Sequence, residues 1–459
     1  DRAPPIVILA GLNILLLWSA RVAVHFSPQA AGSGLPEVKC ILSGIRLDKF
    51  LSRTVLVAKS IGLTLALGSS LPVGKEGPFV HIASCVSRYL LSSQFFKNVS
   101  LPREDVLLAA VAVGVGTTFG APVGGVLFAL ELMMPRLYET ASYAACFFAS
   151  TMGTLTFMCL LVAVSVIFCI ILASFCCDLR NVIGTNCKAE LVFLLLCVGI
   201  GAICGTLGGL FVRWHRKAMS VMNALRGIAP LCSAASAGPS LQRDFLIFSL
   251  VGVGGAALQS SGLGPLLELN AGPLLTDLFS TNSAASLSSD QVSIGMLLGV
   301  CLAKFVYTLV ALTLPVPSGV VAPSLVLGAF LGRLTSAVIP LPVKLFLAPS
   351  TDFAQYEAIF TIVGATAFCG SVCRVHSVVV TVFELIAVPR LILPLVMATI
   401  TANYCGNKVG PSIFDSILLM KKIPAMPTLT ASFKALQPVS HGLSKPWRSC
   451  KHTHLSLVA

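Results

Sequence analysis

Charge is scarce in this sequence. Of its 459 residues only 11% are Asp, Glu, Lys or Arg, whereas a soluble domain carries roughly 25%. So few charges cannot cover a surface exposed to water, and the composition therefore excludes an ordinary soluble enzyme, a nucleic-acid-binding domain and a disordered chain. The remaining residues are 56% hydrophobic, with a mean hydropathy of +0.91. These values predict an integral membrane protein, which we expect to be all-α.

Acidic residues are scarcer still than basic ones. The chain has 18 Asp and Glu against 31 Lys and Arg, which gives a formal net charge of +13. In a membrane protein this excess fits basic cytoplasmic loops that contact anionic lipid. It also fits the attraction of an anionic solute.

Uninterrupted apolar runs of simple transmembrane length are few as well. Several runs are too short or too long for one upright helix, and Gly and Pro cut into others, which is typical of transporters with broken helices. We predict ten membrane-embedded stretches: 6–24, 54–72, 105–133, 141–175, 191–212, 245–260, 292–315, 320–340, 357–370 and 376–404.

The apolar stretches fall into two corresponding halves. In each half a Gly- and Pro-bounded segment opens an apolar helix, and a run that ends near Glu131 or Glu384 follows. Interrupted apolar segments at corresponding places in two halves point to a transport site. The predicted divisions are a first transmembrane half, a connecting loop, a second half and a basic cytoplasmic tail, at 1–175, 176–190, 191–420 and 421–459.

Three segments place Gly, Ser and Pro at the start of a helix inside an apolar context. A helix N-terminus presents unpaired N–H groups and about half a positive charge, and so binds anions without Lys or Arg. One such segment is more often a simple helix cap, but three in one membrane chain favour a buried anion site. The segments are Gly32-Ser33-Gly34-Leu35-Pro36-Glu37, Gly74-Lys75-Glu76-Gly77-Pro78 and Gly319-Val320-Val321-Ala322-Pro323.

Glu76 is the one acidic residue inside the second of these segments. A carboxylate at a buried helix N-terminus satisfies the same donors that an anion would use, so it competes for the site, and its protonation or displacement would open it. The alternative is a capping carboxylate without a gating role.

Together, and in this order, the three segments resemble the signature motifs of the CLC chloride channels and transporters. The resemblance runs from about residue 10 to residue 425, and it includes Lys59, Lys304 and the Ile413-Phe414-Asp415-Ser416-Ile417 ending. It implies a homodimer with one anion pathway in each subunit, and a fold in which each subunit is an inverted repeat of short, tilted, partly broken helices. It also implies that Ser33 and the backbone N–H groups of Val320 and Val321 bind chloride while Glu76 gates the pathway.

This sequence departs from the family pattern at three positions. Val321 replaces the usual Phe, and Phe414 replaces the chloride-coordinating Tyr, which removes one hydroxyl donor. Leu132 stands where proton-coupled exchangers carry an inner Glu. Because Leu cannot relay protons, we predict passive, gated chloride conduction, with a chloride/proton antiporter as the alternative. A third hypothesis is a membrane scaffold that retains the fold but has lost conduction.

The remaining expectations concern enzymatic activity, cofactors, partners and location. We expect no enzymatic activity, because neither a P-loop nor a nucleophile elbow is present. We also expect no cofactor, no metal site and no nucleic-acid partner, so that the partners are chloride, membrane lipid and a second copy of the chain. The resemblance implies a multi-pass protein, with the plasma membrane favoured over an organelle. By the resemblance, we expect a family helix before residue 6 and a pair of CBS domains after Met420 that this sequence does not contain, so that the protein is either truncated or longer than the sequence given.

Overall fold

The computed structural model describes residues 6–45, 47, 49–93, 102–133, 140–164, 187–227, 241–260, 274–275, 278–279, 294–340, 343, 354–421 and 423. Throughout these ranges the regular structure is helical, and the only strand-like pairing is an isolated bridge between Gly74 and Gly319. The predicted all-α fold class is therefore confirmed.

The helices before the predicted connecting loop belong to the first half of the sequence. A short 3₁₀ turn, Pro28–Ala30, follows the first of them. They are α1 (Ile6–His25), α2 (Leu35–Leu42), α3 (Arg53–Gly68), α4 (Glu76–Ser92), α5 (Arg103–Phe119), α6 (Pro122–Met133) and α7 (Thr140–Val164).

The second half begins with the longest helix described. A 3₁₀ turn, Pro389–Leu391, interrupts the series near its end. The helices are α8 (Cys187–Leu225), α9 (Leu241–Gln259), α10 (Ile294–Thr313), α11 (Val321–Val338), α12 (Ala354–Cys373), α13 (Val378–Ile386), α14 (Ile392–Val409) and α15 (Ile413–Met420).

Six of the described helices contain segments that are long and apolar enough to cross a membrane. Their length of 18 residues or more matches the ~20 residues that a bilayer requires. They are Ile6–His25, Tyr143–Leu160, Leu191–Leu225, Ile294–Thr313, Val321–Val338 and Tyr356–Cys373. The remaining helices are shorter or less apolar, in keeping with the predicted broken spans.

The structure subdivides two of the predicted stretches. Stretch 105–133 breaks at Gly120, whose φ of +68° is left-handed and ends α5, and α6 then begins at Pro122. Stretch 376–404 breaks after Ala387, also left-handed at φ +56°, and Pro389 opens the 3₁₀ turn that follows. A left-handed residue followed by proline ends a helix because neither continues its hydrogen-bond ladder.

One predicted boundary is wrong. The expected stretch 191–212 extends to Leu225, because the charged residues after Val212 are good helix formers and lie on exposed positions. Helix α8 also begins at Cys187, inside the predicted connecting loop 176–190, whose earlier part lies outside the described residues. The end of stretch 141–175 lies outside them too, as does the basic tail 421–459 apart from Lys421 and Ile423.

Small residues set the close approach of α8 to α14. A Cβ on Gly205 would lie 2.5 Å from the Ala402 carbonyl oxygen, and one on Gly209 would lie 2.6 Å from Val409 Cβ. Together with Gly201, which faces Ala398, these glycines recur every fourth residue of α8. This small-residue pattern lets two helix backbones approach closely in a membrane.

Helices α6 and α13 cap each other. The carboxylate of Glu384 in α13 accepts hydrogen bonds from Val123 N and Gly124 N at 3.1 and 2.7 Å. The Glu131 carboxylate at the end of α6 accepts from His376 N and Ser377 N at 2.7 and 2.8 Å. Each C-terminal glutamate thus satisfies the N-terminal donors of the other helix, so the two helices, one from each half, run antiparallel.

Candidate anion site

The three motif segments meet in the interior. Gly32 N donates to Val316 O at 2.9 Å, and Ser318 N donates to Gly32 O at 3.4 Å. Gly74 and Gly319 exchange two backbone hydrogen bonds of 2.9 and 2.8 Å. The third segment, more than two hundred residues after the other two, therefore forms one backbone junction with them, and α2, α4 and α11 begin there.

The first segment adopts a conformation that requires glycine. Gly32 and Gly34 have φ values of +74° and +82°, in the left-handed region that other residues avoid. A Cβ on Gly34 would also lie 2.5 Å from His81 Nδ1. The glycines therefore turn the chain sharply, so that Leu35 and Pro36 begin α2 next to the junction.

Ser33 lies between these glycines and is 6% exposed. A Cβ on Gly77 would lie 2.6 Å from Ser33 Cβ, so the starts of α2 and α4 approach each other at this point. Among the described residues, the Ser33 hydroxyl has no hydrogen-bond partner. The structure therefore leaves a hydroxyl donor beside two helix N-termini.

Glu76 reaches across the junction to a different helix. It is the first residue of α4 and is 4% exposed. Its Oε2 accepts a long hydrogen bond of 3.4 Å from Ala322 N in the first turn of α11. Its carboxylate therefore occupies part of the donor set at the start of α11, where a bound anion would compete with it.

Val320 and Val321 form the start of α11. Val320 is the N-cap residue, and the two side chains are 4% and 2% exposed. Pro323 follows within the first turn. Because the first N–H groups of a helix lack intrahelical partners, these positions offer backbone donors in a buried environment.

Phe414 is the second residue of α15 and is fully buried. The Ser412 hydroxyl caps this helix by accepting from Asp415 N at 3.1 Å, and Asp415 in turn pairs with Lys39 of α2 at 3.2 Å. Helices α15 and α2 therefore lie side by side. The phenyl ring of Phe414 carries no hydroxyl donor.

Leu132 is 6% exposed near the end of α6. Its neighbour Glu131 is the nearest acid in sequence, and both Glu131 oxygens already accept backbone hydrogen bonds at the start of α13. Glu131, like Glu384, is thus a residue that hydrogen-bonds the start of a neighbouring helix.

The other motif residues support the junction. Lys75 is the N-cap of α4 and is partly exposed, while Gly77 and Pro78 lie in its buried first turn. His81, one turn further, stacks on Phe50 with ring centroids 4.0 Å apart. Its Nε2 also lies 3.0 Å from Phe50 O, so the ring packs behind the first segment.

A contact that the motifs did not predict supports the first segment from behind. Lys59 of α3 is fully buried, and its Nζ donates to Gly32 O at 2.9 Å. The signal that identified Lys59 was its resemblance to a family lysine. The residue types alone could not show that a lysine in one apolar helix contacts a glycine 27 positions earlier.

Comparison with known proteins gives a consistent result for almost the whole chain. The family model described as voltage gated chloride channel matches residues 14–407. Chloride channel protein 2 of Drosophila melanogaster is 34% identical over 462 residues, covering 93% of this chain and 36% of the relative. Chloride channel protein 1 of Homo sapiens is 34% identical over 450 residues, covering 91% and 43%. The chain thus spans less than half the length of these relatives.

Solved structures show the same fold. The crystal structure of a eukaryotic CLC transporter superposes with a TM-score of 0.70 at 26% identity, covering 91% of this chain and 67% of that one. A slow cyanobacterial Cl−/H+ antiporter gives a TM-score of 0.66 at 19% identity, covering 91% and 87%. At that lower identity the second likeness concerns the fold alone.

Proposed function

Because this chain belongs to the voltage-gated chloride channel family, we propose that it conducts chloride passively, with Glu76 as the gate. It is a multi-pass membrane protein, and its relatives are named as channels and transporters rather than enzymes. We further propose one pathway in each subunit of a homodimer, and the plasma membrane as its location. Chloride and lipid complete the proposed partners, with no cofactor.

The observation that carries the proposal is the contact between Glu76 and the start of α11. The carboxylate accepts from Ala322 N, next to Val320 and Val321, and the motif that contains Ser33 adjoins the same junction. Neutral backbone and hydroxyl donors hold an anion weakly enough for it to leave again, as conduction requires. When Glu76 swings away or is protonated, chloride takes its place at these donors.

Leu132 and the engaged Glu131 favour a channel over an exchanger. Among the described residues, the end of α6 offers no carboxylate that is free of backbone hydrogen bonds. Without such a group a proton has no acceptor at the inner end of the pathway. An antiporter is the alternative, and it would need a proton route that avoids Leu132.

The first test measures ion coupling. The purified full chain is reconstituted in planar bilayers, and reversal potentials are recorded under separate chloride and proton gradients. We expect ~59 mV per tenfold chloride gradient, as for a monovalent ion, and no response to the proton gradient. Chloride movement uphill driven by protons would establish the antiporter instead, and a complete lack of anion flux would favour a scaffold.

The second test concerns the gate. Glu76→Gln removes the charge that competes with chloride while it preserves the side-chain shape, so we expect flux that is constitutively high and independent of pH. Glu104→Gln, at an exposed position in the first turn of α5, is the matched control and should behave as the parent protein. Unchanged gating in Glu76→Gln would show that Glu76 is only a helix cap.

A further inference from the structure

A cavity of about 180 Å³ lies between α8 and the connection from α14 to α15, and no residue of the three motif segments lines it. It follows Gly209, the last of the α8 glycines that approach α14 closely. The cavity, here called the arginine pocket, is lined by Val212, Arg213, Arg216, Val409, Gly410, Pro411 and Ser416.

The wall of the arginine pocket carries positive charge. Arg213 and Arg216 are one turn apart on α8, both are exposed, and neither forms an ion pair with any described residue. Arg213 lies against Gly410, since a Cβ there would be 3.9 Å from its Nε. The acid closest in sequence to the pocket, Asp415, is already paired with Lys39 and hydrogen-bonded to the Ser412 hydroxyl. The two guanidinium groups therefore remain available to a ligand.

The backbone of the pocket is held in place from the other side. Arg374, at the end of α12, donates from Nη2 to Gly410 O at 3.0 Å and from Nη1 to the hydroxyl and carbonyl of Ser371. These hydrogen bonds anchor the connection between α14 and α15. The pocket is consequently preformed, and a ligand would not have to order its floor.

Ser416 supplies a second, independent indication of a ligand. It lines the pocket and is 1% exposed, yet its Oγ has no hydrogen-bond partner among the described residues. Buried hydroxyl groups without a partner are rare and costly in proteins. Beside two arginines, the group that would satisfy this hydroxyl is an oxygen acceptor.

We infer that the arginine pocket binds a phosphate group. Two guanidinium forks one turn apart and a hydroxyl donor match an anion with several oxygen atoms, which Arg recognises bidentately. The volume of about 180 Å³ is also generous for a monoatomic anion. None of its lining residues belongs to the proposed chloride site, and the inference does not depend on that site.

The surroundings favour a lipid as the source of the phosphate. The apolar run of α8 ends at Val212, and Trp214, 43% exposed, lies between the two arginines in sequence. Trp and basic residues concentrate where a membrane helix meets the headgroup region. Basic pockets between membrane helices bind phosphorylated headgroups there. Soluble phosphate is the other source, and the experiment separates the two.

The test measures lipid retention by native mass spectrometry. The full chain is placed in phosphatidylcholine nanodiscs with and without phosphatidic acid, whose headgroup is a bare phosphate. We expect Arg213→Gln and Arg216→Gln each to weaken phosphatidic acid binding about fivefold, and Ser416→Ala to weaken it to a smaller degree. Lys217→Gln removes the same charge from an exposed position of α8 outside the pocket and should change binding less than twofold.

The outcomes separate the possibilities. Competition by inorganic phosphate at the same affinity as the lipid would support the phosphate site and identify soluble phosphate as its source, whereas lipid binding that inorganic phosphate does not displace would identify the lipid. Equal losses in Arg213→Gln, Arg216→Gln and Lys217→Gln would overturn the inference, since they would reflect diffuse attraction to the surface. Absence of binding by both probes to the parent protein would overturn it too.

Discussion

Two glycines in the first motif show how single residues shape the site. Gly32 and Gly34 flank Ser33, and both have left-handed φ values. Because they turn the backbone without side chains, Ser33 lies against Gly77 at the start of α4, and His81 packs directly behind Gly34. The Gly-Ser-Gly spacing is therefore a requirement of backbone geometry.

Gly34→Ala is expected to destabilise the protein. The left-handed conformation costs an alanine roughly 1–2 kcal/mol, and its Cβ would overlap His81 Nδ1 at 2.5 Å. The midpoint of thermal unfolding in detergent, followed by loss of monodisperse protein, measures the effect. Gly11→Ala is the control, because a Cβ there meets nothing within 4 Å and α1 continues through it. An equal midpoint for both variants would contradict this assignment.

The substitutions at positions 321 and 414 leave the backbone of the site intact. Val321 still begins α11, and Phe414 still lies in the first turn of α15. A helix N-terminus keeps its donors whatever the side chain, so only the hydroxyl of the usual Tyr is lost. The proposed site consequently has one hydroxyl donor fewer than the family pattern implies.

At the scale of helices, glycine spacing decides which pairs pack closely. The every-fourth-residue pattern of α8 brings its backbone onto α14, and Gly328, Gly332 and Gly364 do the same between α11 and α12. In lipid, where burial of apolar surface drives helix association only weakly, such close approach supplies much of the packing energy. Helix α12 thereby holds α11, whose start belongs to the proposed anion site.

Gly205→Ala tests the packing of α8 on α14. The new Cβ would lie 2.5 Å from Ala402 O, so we expect overpacking to cost about 1–3 kcal/mol. Gly199→Ala provides a control within the same helix, because it meets nothing within 4 Å and should be neutral or stabilising by up to ~1 kcal/mol. Thermal unfolding of the two variants under identical conditions makes the comparison. Equal stability would mean that the two helices are not in close contact.

At the scale of the whole molecule, a buried ionic cluster joins three distant helices. Asp244 of α9 is fully buried and accepts from Arg21 of α1 at 2.8 Å and from Arg226, just after α8, at 2.7 and 3.1 Å. One carboxylate between two guanidinium groups leaves a net positive charge inside the protein. Such a cluster constrains the relative positions of α1, α8 and α9.

Asp244→Asn should be the most destabilising of these substitutions. It leaves two buried arginines without a counter-charge, which typically costs 3–5 kcal/mol. Expression yield and the unfolding midpoint measure the loss, and Glu104→Gln on the exposed turn of α5 should stay within about 0.5 kcal/mol of the parent. If Asp244→Asn were equally stable, the cluster would contribute nothing to the fold.

Much of the architecture follows from sequence because it depends on local chemistry. The scarcity of charge predicted a membrane protein, and the Gly- and Pro-bounded motifs predicted the starts of α2, α4 and α11. The predicted apolar stretch 191–212 stops short of the end of α8, because the exposed charged residues after Val212 are good helix formers and continue the helix outside the apolar run.

The sequence by itself determined the membrane class, the all-α fold, the family and the helix starts that offer anion donors. Only the tertiary structure decided which of these starts meet, because hydrogen bonds such as Gly74 to Gly319 join residues whose separation in the chain exceeds any local pattern. The tertiary structure likewise decided that Glu131 of α6 accepts hydrogen bonds at the start of α13, and Glu384 of α13 at the start of α6. It also placed Ser416 in the same pocket as the arginines of α8. A donor is a property of one residue, whereas its acceptor depends on how distant helices pack.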